Sequence, residues 1–416
     1  MNGFDADPKS GAVLSIGERD GEWHAPDGMP DVARNGEIIN RATLYCYPQL
    51  PLDDPRLWPQ TARPFGSDDR RTLEECALPA RINWTRFRTE CANLPPEVQI
   101  ASLLNHRALQ FNSRRRFADS NHYIHRIKAA CLSGSPIRVV IPIFCVIANP
   151  LKRFRHISIT AGEMVTLRTL SNISGMIAEI YPPGLVFEVV SDAMFYATPF
   201  GVDLADAAIY LQQLRRTARA LGGGDRVRLH DMSVLLADHA PEFGKRYERW
   251  LCRYTHNELC DGTSQSSLDV WLESMQACLN VSQYKHDYNW LRETFSSPAN
   301  RLDANPLRVR ARAALLKYRA LKAAASDVGW EERVFPGALR ATIHTKSIPV
   351  LGLRLYPEYK FRSRLLPYHG VPLIQHSVKT GLRRMVIEPE MYLACRSELT
   401  RVVDNTGGTV FYDECS

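Results

Sequence analysis

Residues 135–154 read SPIRVVIPIFCVIANPLKRF, and this stretch decides the fold. From Ile137 the run is apolar with little alternation, and it is dense in Val and Ile. A strand exposed on one face would alternate; a near-continuous apolar run fits a parallel strand buried on both faces. Working outward, AGEMVTLRTLSNISGMIAEIY (161–181) places Met164, Leu167, Leu170, Ile173 and Ile177 at helical spacing, and the Pro and Gly of YPPG (181–184) end it. LVFEVVS (185–191) is a second buried strand. VDLADAAIYLQQLRRTARALGGG (202–224) is a capped helix ending in glycines, and RVRLH (226–230) a third strand. Strand, helix, strand, helix, strand predicts right-handed parallel α/β units. Upstream, PPEVQIASLLNHRALQF (95–111) carries a helix start. Residues 1–75 are rich in Pro, Gly and Asp and predict an irregular arm, because proline lacks the amide donor. Downstream, about 240–325 is helical in pattern, and ALRATIHT (338–345) and VLGLRLYP (350–357) return to strands. The expected architecture is α/β: a mostly parallel sheet flanked by helices in one domain (76–416), with a helical insertion and an N-terminal arm.

The 416 residues can bury a large core, and 45% hydrophobic with 23% charged residues is a globular balance. No run approaches the roughly 18 apolar residues of a membrane span. The first 30 residues lack a basic region followed by an apolar stretch, so no secretory signal is read and a cytoplasmic protein is expected. The net charge of +7 is mild; it suits an anionic small substrate and predicts neither nucleic-acid nor membrane binding. Arg114, Arg115 and Arg116 form a run expected to be a solvated face. Ten cysteines without a CxxC pair are expected as reduced thiols. Cys252, His256 and Cys260 lie four apart, but three ligands stacked on one helix cannot easily wrap an ion; a partly buried helix face is expected and no metal.

Ligands of open parallel sheets bind outside the carboxyl ends of the strands. That rule selects three places. The turn after the first strand offers Asn149, Lys152 and Arg153. The end of the second offers Ser191 and Asp192, where the aspartate is either a helix cap or a site group. In LRATIHT, Arg340, Thr342 and His344 alternate onto one face, which is either solvated or a cleft wall. There Arg would clamp a phosphate or carboxylate and His would move protons. His369 sits beside Gly370 in a Pro-flanked loop, LPYHGVPL. No Walker loop, GxGxxG, HExxH, GxSxG or kinase signature is present.

In order, these segments resemble the isocyanide synthase (pyoverdine/dityrosine biosynthesis) family. GSPIRVVIPIF, NPLK, GEMVTLRTLSNISGMIAEIYPPG, VVSDAMFYATPFGV, LLKYRALKAA, LRATIHT and LPYHGV each resemble a family motif, over about residues 95–375. The resemblance implies a Rossmann-like fold and condensation of an amino acid, typically tryptophan or tyrosine, with ribulose 5-phosphate. One sugar carbon becomes the isocyanide carbon. No cofactor is implied; an iron- and 2-oxoglutarate-dependent oxygenase is the implied downstream partner. The matched positions are Asn149, Lys152, Glu163, Asp192, Arg340, His344 and His369. Asp192 is expected to receive the amino group and Arg340 and Lys152 to hold anions. His344, His369 and Glu163 are the acid/base candidates, with Arg153 and Ser191 as further binding groups. The sequence departs from the family at Ile147, near a usual lysine, at Ile159–Thr160 for Pro-Asp, at Ala193 for Gly, and at Tyr368 for Trp. These losses point to the alternatives of an N-formyl or other condensation product, or a binding protein on the same fold. Which amino acid is bound is not legible, because pocket shape comes from distant segments.

Overall fold

The computed structural model describes residues 18–19, 22–23, 62–77, 82–106, 108–109, 121–150, 152–154, 157–221, 225–276, 278–279, 306–343, 351–355, 368–376, 383–394, 396 and 398–414. The Arg114–Arg116 run and His344 lie outside these residues. In chain order, β1 (Ala62–Pro64) is followed by four helices: α1 (Ser67–Cys76), α2 (Trp84–Cys91), α3 (Pro96–Leu104) and α4 (Asn121–Ser133). Then come β2 (Ile137–Ile143), α5 (Ala161–Ile180), β3 (Leu185–Ser191), α6 (Ala193–Phe200), α7 (Leu204–Ala220) and β4 (Val227–Asp231). The helical stretch holds α8 (Ala240–His256), α9 (Gln265–Gln276) and α10 (Pro306–Val328). The chain closes with β5 (Leu339–Thr342), β6 (Leu351–Gly352), β7 (Val371–His376), β8 (Arg383–Glu388), β9 (Leu399–Val403) and β10 (Thr409–Glu414).

Five strands form a fully parallel sheet in the order β4-β3-β2-β5-β6. The first strand in the chain is central and the order reverses at its side, as in Rossmann-like sheets. All seven residues of β3 are buried, which explains its largely apolar spelling, Glu188 and Ser191 apart. On one face Ile141, Ile143, Phe187 and Val189 join Leu167, Leu170, Ile173 and Ile177 of α5 in the main core. On the other, Val140 and Val190 pack with Ala325 of α10, Trp330 and Phe335. Each such side chain contributes roughly 1.5–3 kcal/mol by leaving water.

A second five-stranded sheet, β8-β7-β10-β9-β1, is mixed in direction. Its strand β1 and helix α1 fall within the segment expected as an irregular arm, so the end of that segment is part of the fold. Among the described residues no helix is long and apolar enough to cross a membrane.

Candidate active site

The switch point of the parallel sheet lies between β2 and β5. β2 stays in register with β3 to its last residue, Ile143 against Ser191. With β5 it pairs only at Val139 and Val140. Pro142, which has no N–H to offer, sits where β2 and β5 part. The crevice predicted for such a topology therefore opens at the carboxyl end of β2.

Ser191 braces this edge. Its hydroxyl donates to the Phe144 carbonyl at 3.0 Å and accepts the Ala193 N–H at 3.3 Å. Phe144 has φ 71°, a left-handed conformation that costs a non-glycine residue about 1–2 kcal/mol. Such strain persists only where the surroundings over-determine it, and here the Ser191 bond and the edge-on Tyr368 ring, 5.8 Å between centroids, hold it. The turn delivers Cys145 to the end of β3.

Asp192 stands at the start of α6, yet its side chain does not cap the helix. Of the two readings of this aspartate, the helix cap is thereby removed. Its Oδ1 is buried without a hydrogen-bond partner among the described residues. Burial pushes this carboxyl up to about 7, against the lowering effects of its own N–H, the Cys145 thiol and the Lys322 ammonium. Tyr196 follows one turn later, its N–H donating to the Asp192 carbonyl at 3.0 Å. The Tyr196 ring lies 4.6 Å from that of Tyr318 on α10, and Phe200 closes the cluster at 6.3 and 6.0 Å.

The loop after β2 is held inside the protein. Asn149 and Lys152 are 0% exposed and Arg153 1%. The Lys152 Nζ lies 4.0 Å from Cys278 Sγ, and burial lowers its amine. Main-chain bonds fix the loop from the second sheet: Glu390 donates its N–H to the Lys152 carbonyl (3.0 Å), and its Oε2 accepts the Phe154 N–H (2.6 Å).

Arg153 and Glu163, expected as a binding group and an acid/base, close on each other instead. Arg153 donates to Glu163 Oε1 at 2.5 Å, to the Tyr368 carbonyl at 3.1 Å and to the Ser158 carbonyl. Glu163 also accepts from the Tyr210 hydroxyl (2.9 Å), the Thr160 N–H (2.9 Å) and the Thr160 hydroxyl (2.7 Å). Its oxygens are committed to a buried pair and a capping box. Arg340 does not join Asp192. It points outward to Glu331 at 2.8 Å, level with Val140 in mid-sheet, while Thr342 is buried. Arg340 and Thr342 share a face of β5, but only Arg340 is exposed on it. His369 is half-buried against Tyr368, with 4.8 Å between ring centroids, and so lies near the carboxyl end of β2. Cys252 and His256 are exposed on α8, and Cys260 is exposed beyond its end, correcting the expected partly buried face.

Four residues around Asp192 were missed in the sequence: Cys145, Tyr196, Tyr318 and Lys322. Tyr196 was visible as the residue one helical turn after the aspartate. Tyr318 and Lys322 lie four apart on one helical pattern, but nothing local ties that helix to β3.

The fold and site define an α/β protein with a Rossmann-like sheet and a desolvated carboxylate at the carboxyl edge of that sheet. The chain belongs to the pyoverdine/dityrosine biosynthesis protein family, which it matches over residues 127–386. It is similar to isocyanide synthase A of Aspergillus fumigatus, at 30% identity over 145 residues, 33% of this chain; it spans only 23% of that protein. It is similar to L-tyrosine isonitrile synthase of Xenorhabdus nematophila, at 25% identity over 302 residues, 66% of this chain and 82% of the relative. The crystal structure of the PvcA protein from Pseudomonas aeruginosa shares the fold, with a TM-score of 0.55 and 17% identity over 77% of this chain and all of that one.

Proposed function

We propose that the chain is an isocyanide synthase-like enzyme that condenses the amino group of an L-amino acid with ribulose 5-phosphate. The names of two relatives support the class. The observation that carries the reading is Asp192: a carboxylate with an unpartnered oxygen, tuned to about 7, at the end of a strand beside the switch point. A general base works best with a pKa near the operating pH. Asp192 takes a proton from the substrate ammonium. The freed amine attacks the sugar ketone, its C–N bond forming as the carbonyl oxygen takes up a proton. Loss of water then gives an imine, and later carbon–carbon cleavage leaves one sugar carbon on nitrogen. Lys152 serves an anionic group, with Asn149 beside it; His369 and His344 are the proton donors. Arg153, Glu163 and Ser191 act by holding the loop and the strand ends in place.

A second reading, an N-formyl or other condensation product, is favoured by one observation. Ile147, near a position where relatives of this type carry lysine, is 1% exposed, and Thr160, in place of an aspartate, is spent on capping α5. Incubation of the purified protein with each common amino acid and ribulose 5-phosphate, followed by mass and by the isocyanide infrared stretch, separates the two. A formamide establishes the second reading. No consumption of any amino acid by folded protein overturns both.

A further inference from the structure

Cys278, just past the end of α9, sits against the loop after β2. The Ala148 N–H donates to the Cys278 carbonyl at 3.2 Å, a main-chain tie between the two segments. Beside that tie the Cys278 Sγ lies 4.0 Å from the Lys152 Nζ. Both residues are buried, at 5% and 0% exposure. Lys152 is fixed in turn: its N–H donates to the Asn149 carbonyl at 3.1 Å, and its own carbonyl accepts the Glu390 N–H at 3.0 Å. A thiol and a primary amine are thus held side by side, each on an anchored backbone. The proposed condensation makes no use of the thiol.

Two groups near Cys278 compete to react with it once its sulfur is oxidised. Burial, then Asp192 and Cys278, push the Cys145 thiol well up, and a thiol that stays protonated is a poor nucleophile. Burial lowers the Lys152 amine, which makes its free-base form, with a lone pair on nitrogen, easier to reach. The amine is the better nucleophile of the two.

We propose that Lys152 and Cys278 form a modification site, in which hydrogen peroxide oxidises the thiol and the lysine captures the product as a reversible sulfur–nitrogen crosslink. The Cys278 sulfur attacks the peroxide, the O–O bond breaks, and water leaves. The sulfur becomes a sulfenic acid, oxidised by two electrons as the peroxide is reduced. The Lys152 nitrogen then attacks that sulfur. An S–N bond forms, the S–O bond breaks, and the hydroxide leaves with an amine proton as a second water. A dithiol reverses the link, returning thiol and amine as it becomes a disulfide. The link draws Lys152 away from any anion it holds. Loss of activity on oxidation therefore rests on the reading of Lys152 as an anion-binding group; the link itself does not.

The test is peptide mass spectrometry of the folded protein after treatment with hydrogen peroxide, alkylation of the remaining thiols and digestion with trypsin. The peptides holding Lys152 and Cys278 should appear joined, two hydrogen atoms lighter than their sum, with cleavage after Lys152 lost. Dithiothreitol should release them. Cys145→Ser should keep the link and Cys278→Ser should lose it. Lys152→Met should lose it and let Cys278 proceed to sulfinic acid. Oxidation in denaturant should give no link, because nothing then holds the pair together. In wild type, a Cys145–Cys278 disulfide, a sulfinic Cys278 with Lys152 unlinked, or an unmodified Cys278 overturns the site, whether or not the variants fold. A link that leaves turnover of ribulose 5-phosphate unchanged upholds the site and overturns the anion-binding role of Lys152 instead.

Discussion

Replacing Asp192 by Asn should raise stability while removing turnover, and the gain should depend on pH in a direction fixed by its titration. The folded carboxyl titrates at about 7 against an ordinary 3.8. Because the folded value is raised, the protonated form is favoured by folding. That stabilisation is complete below about pH 4 and disappears as pH rises through 7. At pH 8 the protein thus holds an ionised, desolvated carboxylate. At about 1.36 kcal/mol per pH unit the cost is at most about 4 kcal/mol; since the residue is only half-buried, about 2 kcal/mol is the working figure. Asparagine cannot ionise and keeps the shape. With about 2.1 cal/mol/K per residue, 416 residues have an unfolding entropy of roughly 0.9 kcal/mol/K, so the midpoint should rise by about 2 °C, and at most about 5 °C, at pH 8. At pH 5, where the unfolded carboxyl is still largely ionised, the gain should shrink to roughly 40% of its pH 8 value, about 1 °C. Scanning calorimetry of both proteins at the two pH values measures this. An equal or lower midpoint for Asp192→Asn at pH 8, or the same gain at both, would refute the account of a carboxylate held charged against its surroundings. A stability gain at a residue whose loss stops the reaction is the ordinary mark of a site that trades folding energy for chemistry.

Arg153→Met should cost roughly 3–5 kcal/mol, because it strands Glu163 as an unpaired buried charge; thermal melting and soluble yield report it, and Glu163→Met in the same chain should restore part of the loss. Lys152→Met keeps the volume and removes a buried amine, so the melting midpoint should hold or rise while KM for ribulose 5-phosphate increases at least tenfold in steady-state assays. Gly370→Ala should disturb the His369 loop, because the new Cβ would lie 2.4 Å from the Glu388 carbonyl oxygen in the neighbouring strand; kcat should drop with a melting loss of a few degrees.

The parallel sheet was legible because β2 and β3 are packed on both faces and are spelled mostly in apolar residues, with Arg138 and Glu188 the charged exceptions. The second sheet was not. β7 and β10 pair in parallel across some 40 residues, as Leu373 with Tyr412, and no local pattern records such a partner. β1, three residues in a Pro-rich stretch, becomes a strand only because β9 lies beside it. Asp192 was legible as a residue at a strand end, from topology alone. The fate of Arg153 was hidden for a different reason. A run such as LKRFR after a strand reads as a set of anion-binding side chains, and only the fold brings Glu163, Tyr210 and the Tyr368 carbonyl around one guanidinium. Arg340 failed by the converse route. Alternation assigned its face correctly in principle, but Glu331, nine residues earlier, captures the side chain.

Three buried carboxylates can be compared with Asp192 in how they are partnered. Glu163 has an arginine, a tyrosine and a threonine on it. Glu188, 1% exposed in mid-strand, would be raised by burial, but hydrogen bonds from His230 (2.7 Å) and Arg138 (2.9 Å) outweigh that and hold it below the ordinary range. Glu390 is raised by burial, yet one of its oxygens is fixed on the Phe154 N–H, and Thr409, Arg401 and Arg153 offset part of the cost. Each of these carries partners that use its charge to fix backbone or sheet. Asp192 and Glu390 each have one buried oxygen without a hydrogen-bond partner among the described residues; at Asp192 the lowering influences are its own N–H, the Cys145 thiol and Lys322, and burial outweighs them. Beside it Ala193 is fully buried, and Ile147, further along the loop after β2, is buried as well. A carboxylate kept for structure would gain from a cation there. One that must take a proton from an ammonium near neutral pH gains from its absence, since a stronger acid would be a weaker base. On the proposed reading a desolvated Asp192 is the better proton acceptor, and whether this site handles an amine is a separate question from which product it releases.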